Sequence, residues 1–203
     1  MPRALYPNTF RRMFDVQPRL YFDFVDPGSL LLWRRMRALD AACGLVGFEM
    51  RPPPAPPVDA SDPAWTAYWD EVAADLAAIG LEPSRPIRVP WTRKAHELVE
   101  HARQSGAPER ALEMCDRLFR AYVEEGVDLG RIDVLVGLAV DEGFDRTEVR
   151  AVLDVDRYRS DVEDGRRRAV DLGVRGVPTL LVGDRRLEGI HDVRTLRAFL
   201  EDG

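Results

Sequence analysis

The sequence predicts an α/β fold in which a strand-helix-strand start and a helix-hairpin-helix end flank a long, all-helical insertion. Three observations predict it. The run Leu20-Tyr21-Phe22-Asp23-Phe24-Val25 is apolar and aromatic, and Asp26-Pro27-Gly28-Ser29 stops it where an apolar-periodic helix begins. From residue 62 to residue 158 the periodicity is almost wholly helical. Two short strand-like runs then meet at Gly183-Asp184, the pattern of an antiparallel hairpin.

Residues 1–18 form an N-terminal extension to which no element is assigned. Residues 19–24 read as the first strand and residues 29–42 as the first helix, with Leu30, Leu31, Trp33, Met36, Leu39 and Ala42 at its apolar positions. Residues 45–50 read as a second strand. A strand-helix-strand path implies a parallel pair with a right-handed crossover. Residues 51–57 hold five prolines in seven positions, which excludes both helix interior and central strand and leaves a stiff, extended connector.

The helical block follows. Trp65, Tyr68, Trp69, Val72 and Leu76 mark one helix, and Ala95, Leu98, Val99 and Ala102 the next. Pro108, at a first-turn position, precedes the stripe Leu112, Cys115, Leu118, Phe119, Tyr122. Residues 129–141 and 147–153 complete the set, the last with Glu148 in its first turn, where a carboxylate suits the helix dipole. Residues 159–172 form a helix ended by Gly173. The hairpin strands are residues 179–182 and 185–188, and residues 191–201 close the chain with Val193, Leu196, Phe199 and Leu200 inward. The chain thus divides into the extension 1–18, a domain made of 19–57 and 159–203, and a helical insertion subdomain, 58–158. The order is that of a thioredoxin fold carrying an all-helical insertion.

The chain has 203 residues, enough for one domain with a real core. Its net charge of −6 gives no general attraction for nucleic acid or anionic lipid, so neither nucleic acid nor membrane is expected as a partner. Residues 1–18 contain arginines but no continuous apolar run, which reads as neither a signal peptide nor a membrane span; the expected location is cytoplasmic. The two cysteines, Cys43 and Cys115, form no C-x-x-C and are expected to be small buried hydrophobes rather than a disulfide. His96 and His101 share a helix without a partner at metal spacing, so no metal is expected, and His96 is expected to pack at the domain interface. Trp65, Trp69 and Trp91 read as core or cleft-wall residues.

Two constellations carry what chemistry the sequence offers. At Asp26-Pro27-Gly28-Ser29 a polar group sits at the positive end of a helix. Asp26 reads either as an N-cap followed by proline at the first helical position, or as a catalytic group. As a cap it would accept the first-turn amides and have a lowered pKa; as a general base it would need a pKa raised by burial. Ser29 is the better candidate for touching a ligand, because its hydroxyl both donates and accepts, although a locally bonded serine is an equal alternative. The second constellation is Gly173-Val174-Arg175-Gly176-Val177-Pro178-Thr179, where Val177-Pro178 directly precedes a strand and reads as an ordinary extended X-Pro or a structural cis-proline.

These segments resemble the DsbA-like thioredoxin superfamily, specifically the cytoplasmic branch of FrnE-type oxidoreductases, 2-hydroxychromene-2-carboxylate isomerases and kappa-class glutathione transferases. The resemblance rests on Tyr21-Phe22-Asp23-Phe24 before the turn, Ala95-His96-Glu97-Leu98 and the run from Leu118 to Gly126 in the insertion, the approach through Leu172-Gly173 to Val177-Pro178-Thr179, and the closing Glu188-Gly189. It implies a cis-proline loop facing the first helix, with Val177 and Pro178 offering backbone to glutathione, another small thiol or an extended peptide. It also implies Ser29 beside a ligand's sulfur, and a homodimer as an arrangement common among relatives. The departure is at the turn. FrnE-type proteins carry Cys-Pro-x-Cys there, and the isomerases and transferases Ser-Pro-Tyr-Ser. Here Asp26 and Ser29 supply no thiolate, so no disulfide exchange is expected from them. Three functions stay open: a glutathione-dependent isomerase- or transferase-like enzyme using Asp26 and Ser29, a non-catalytic binder of peptide or partner, and a family-typical disulfide oxidoreductase acting through Cys43 or Cys115.

Overall fold

The structure, a computed structural model, describes residues 17–105 and 108–201. The expectation for the N-terminal extension therefore falls, apart from its last two residues, outside the described residues. The elements run β1 (Arg19–Phe22), α1 (Pro27–Ala38), β2 (Gly44–Gly47), α2 (Pro63–Ala78), α3 (Arg93–Gln104), α4 (Pro108–Val123), α5 (Ile132–Asp141), α6 (Arg146–Asp154), α7 (Arg159–Asp171), β3 (Thr179–Val182), β4 (Arg185–Glu188) and α8 (Val193–Glu201). The sheet order is β2-β1-β3-β4. β1 pairs parallel with β2 and antiparallel with β3, in a register that sets Tyr21 opposite Thr179. β3 and β4 form the antiparallel hairpin, at the residues the sequence marks.

β1 is apolar after Arg19 because both of its faces are covered there. Leu20 and Phe22 point into a core shared with Leu30 and Leu31 of α1 and with Leu98, Phe119 and Leu135 of the insertion. Tyr21, pointing the other way, joins Phe48, Ala169, Val174 and Leu181 beneath α7. The helical insertion therefore shares one continuous core with the first face of the sheet. Aromatic edges stitch the two together: Phe24 lies 5.1 Å and Trp33 5.7 Å, ring centre to ring centre, from Phe119.

The early elements differ in extent from the sequence reading, for local reasons. α1 begins at Pro27, two residues early, because Asp26 caps it and proline fits its first position. It ends at Ala38 because Asp40 adopts a left-handed φ of 55° and the Ala41 N–H turns back to the Met36 carbonyl at 3.3 Å. β1 stops at Phe22 rather than residue 24, since the chain turns at once: the Asp26 N–H donates to the Asp23 carbonyl at 3.2 Å. β2 stops at Gly47, and the Met50 N–H finds the Asp23 side chain, at 2.8 Å, instead of a strand partner. The Val177-Pro178 peptide bond is cis.

Candidate functional site

The turn between β1 and α1 places Asp26 at the N-terminus of α1, with residues 21–30 all buried. Asp26, 1% exposed, accepts three hydrogen bonds. The Ser29 N–H donates to its Oδ2 at 2.7 Å, the Ser29 hydroxyl to the same oxygen at 2.5 Å, and the Tyr68 hydroxyl of α2 to Oδ1 at 2.6 Å. Ser29 is fully buried, and its Oγ also lies 3.4 Å from the Asp23 N–H that points at it. Asp26 is thus the helix cap that one reading of the sequence gives. Its acidity departs from the lowered value expected of a cap: burial, opposed by the Ser29 and Tyr68 hydrogen bonds, raises its pKa from 3.8 to about 6. Burial and the adjacent Asp26 also push the Tyr68 hydroxyl upward, so it stays a donor.

Gly28 shows how closely the turn is covered. A Cβ at this position would overlap the Tyr68 hydroxyl and lie 2.9 Å from Ile190 Cδ1. A side chain here would have to push aside the ends of Tyr68 and Ile190. The register of β1 against β3 brings Val177 and Pro178 to the same end of the sheet as Asp26. The segment after β4 joins the two: the Gly189 N–H donates to the Pro178 carbonyl at 2.8 Å, and Ile190, next along the chain, packs over Gly28. Pro178 is buried, Val177 is half-buried, and the Thr179 hydroxyl donates to the Gly176 carbonyl at 2.7 Å, closing the loop on itself.

Behind the turn lies a set of buried polar groups that the sequence does not single out as functional. Asp23 Oδ1 faces His96 Nε2 of α3 at 3.4 Å, and both residues are almost fully buried. His96 does pack between the sheet and the insertion, its ring against Phe22 and Phe24. A Cβ on Gly47 would come within 2.5 Å of His96 Nδ1, so β2 needs glycine for the ring to fit. Glu49 Oε1 accepts from the N–H groups of Thr92 and Arg93, each at 3.2 Å. Burial raises the pKa of Glu49. Tyr68 is the residue a sequence argument misses most plainly, because at helical spacing it reads as one more apolar position. Its hydroxyl is the signal, since a buried tyrosine seeks an acceptor.

Both cysteines are free; Cys115 is buried as expected, whereas Cys43 is half-buried, and desolvation of the sulfur pushes both thiols up to about 12. Among the described residues no group of three or more potential ligands is placed to hold a metal, and no helix is long and apolar enough to cross a membrane.

Comparison with known proteins follows the same lines. The chain is 26% identical to the uncharacterized protein YwbO of Bacillus subtilis over 183 residues, covering 86% of this chain and 90% of that one. A probable DsbA oxidoreductase from Streptomyces coelicolor superimposes with a TM-score of 0.78 at 25% identity, over 92% of this chain and 89% of its own. A 2-hydroxychromene-2-carboxylate isomerase gives 0.75 at 19% identity, covering 91% and 94%, and shares the fold. The cytosolic disulfide reductase DsbM of Pseudomonas aeruginosa, solved with glutathione, gives 0.62 at 20% identity, covering 92% and 98%, and also shares the fold. Residues 19–201 match the DSBA-like thioredoxin domain, from the first residue of β1 to the last of α8, and the chain belongs to that family.

Proposed function

We propose that this chain is a non-redox member of its family. In this reading it holds glutathione, or an extended peptide, along the edge at Val177 and Pro178 without exchanging thiols for disulfides. The observation that carries the reading is the self-satisfied turn, in which Asp26, Ser29 and Tyr68 are bonded to one another beneath Ile190. Disulfide exchange needs a thiolate attacker, and both cysteine thiols are held protonated by burial. With a pKa near 6, Asp26 is mostly ionised at neutral pH, and a ligand thiolate brought beside it meets like charge. Glutathione as ligand, and a cytosolic setting, are supported by the fold shared with DsbM.

A second reading draws on the raised pKa itself. A buried carboxyl titrating near 6 is suited to general base work, so a glutathione-dependent isomerase- or transferase-like activity would use Asp26 as base and Ser29 as the sulfur's neighbour. It requires Tyr68 to leave Asp26. Calorimetric titration with glutathione and with S-methylglutathione, joined to amide NMR shifts, separates the readings. The binding role predicts similar affinity for both ligands, with shifts centred on Val177. Much tighter binding of the free thiol, lost in Ser29→Ala, would favour the enzyme instead. No heat at about 10 mM of either ligand would overturn glutathione as the ligand.

A further inference from the structure

We propose a second ligand site, lined by neither Val177 nor Pro178, in the cleft between the proline-rich connector, residues 87–92 and the segment joining α4 to α5; it takes a flat apolar molecule carrying a protonated amine. The cleft encloses about 440 Å³, within the range of small-molecule sites. Its walls are apolar and, at the mouth, unusually open to water. Ile87 is 89% and Trp91 44% exposed. The indole is nonetheless fixed, because its Nε1–H donates to the Ala55 carbonyl of the connector at 3.0 Å. A pinned aromatic face in water is a surface a flat ligand can stack on.

The inner end changes character. Val58, Val89, Pro90 and Trp91 also line a cavity of about 10 Å³, room for one water-sized group, that reaches Asp23, Glu49 and Thr92. These three polar residues are more than nine-tenths buried. The Thr92 hydroxyl has no hydrogen-bond partner, and Asp23 Oδ1 has only the 3.4 Å approach of His96 Nε2. The hydroxyl does not cap α3 either, since Glu49 takes that role. The ionisable groups at this end are two carboxyls, His96 behind Asp23, and Arg51 on the solvent side. Arg88, Arg131, Asp59 and Asp128 line the mouth, two charges of each sign, and Arg131 is engaged by Asp133 at 2.6 Å. An ammonium group supplies the donor that the Thr92 oxygen lacks and a positive charge beside Asp23 and Glu49, and the ligand's apolar body covers Trp91 and Val89. A carboxylate in its place would bring negative charge to two buried carboxyls.

The test uses three probes with one ring, similar length and different charge: phenethylamine, phenethyl alcohol and 3-phenylpropionate, titrated calorimetrically into the full chain. Phenethylamine is expected to bind about tenfold or more tightly than either of the others. Trp91→Ala, at an exposed wall, and Thr92→Val, at a hydroxyl the fold does not use, are each expected to weaken it about fivefold. Asp23→Asn is expected to erase the preference for the amine, with its melting curve compared because Asp23 also holds the Met50 N–H. Equal or tighter binding of the alcohol or the propionate, affinity unchanged in Trp91→Ala, or no binding of phenethylamine at about 10 mM would overturn the proposal. None of these outcomes depends on Val177 or on glutathione.

Discussion

Burial and hydrogen bonding pull the Asp26 carboxyl in opposite directions, and burial wins. Three donors favour the ionised form, yet a group 1% exposed loses so much hydration that its pKa climbs from 3.8 to about 6. The folded state therefore binds the Asp26 proton more tightly than the unfolded state. Stability contributed by this group falls as pH rises from about 4 through about 6, then stays flat. A rise of that size is worth about 3 kcal/mol above the window. Asp26→Asn removes the ionisation and gives up about 1 kcal/mol of hydrogen bonding. Urea denaturation is expected to show the variant about 1–2 kcal/mol more stable than wild type near pH 8, with the gain gone near pH 4. A gain independent of pH, or a loss near pH 8, would show that the carboxyl is not held as described. The cap role of Asp26 could be read from Asp-Pro before an apolar-periodic run. The direction of its pKa could not, because that depends on Tyr68, 42 positions away in sequence.

The elements show the same division between local and distant causes. The hairpin strands are legible because β3 is a short apolar run, Gly183 takes the left-handed φ of 60° the turn requires, and all of it is sequence-local. The ends of β1 and β2 are not legible, because the Asp23 side chain captures the Met50 N–H and replaces strand pairing. The start of α3 is a third case. Thr92 stands at its N-cap but makes no cap bond, and the acceptor comes from Glu49 just past β2. Glu49→Ala is expected to cost about 1–2 kcal/mol and to speed hydrogen exchange at the Thr92 and Arg93 amides, whereas Glu49→Gln, keeping an acceptor oxygen, recovers most of both. Unchanged exchange at those two amides in Glu49→Ala would contradict this capping. Glu49 thus ties the sheet to the insertion by the geometry of one carboxyl, and its Arg166 contact, 2.8 Å from Nε to the Glu49 carbonyl, extends the tie to α7.

At the scale of the molecule, the fold brings two loops to one end of the sheet and covers the turn between them. The β2-β1-β3-β4 order sets the first helix's N-terminus and the Val177-Pro178 loop at one end of the sheet. The insertion, packed into the same core, delivers Tyr68 onto Asp26, and Ile190 closes over Gly28. Element order and the polar Asp26-Pro27-Gly28-Ser29 turn are legible from residues alone, since both are statements about position along the chain. The lid is not, because it is built from α2 and the segment after β4, which meet only in three dimensions. The central proposal is that neither the bonded Asp26 turn nor the two cysteines, Cys43 half-buried and Cys115 buried, carry out disulfide exchange. The most direct measurement is the rate at which the purified chain catalyses insulin reduction by dithiothreitol, for wild type beside Cys43→Ser and Cys115→Ser. The account predicts the uncatalysed rate for all three proteins. Acceleration by wild type that is lost in either serine variant would contradict it.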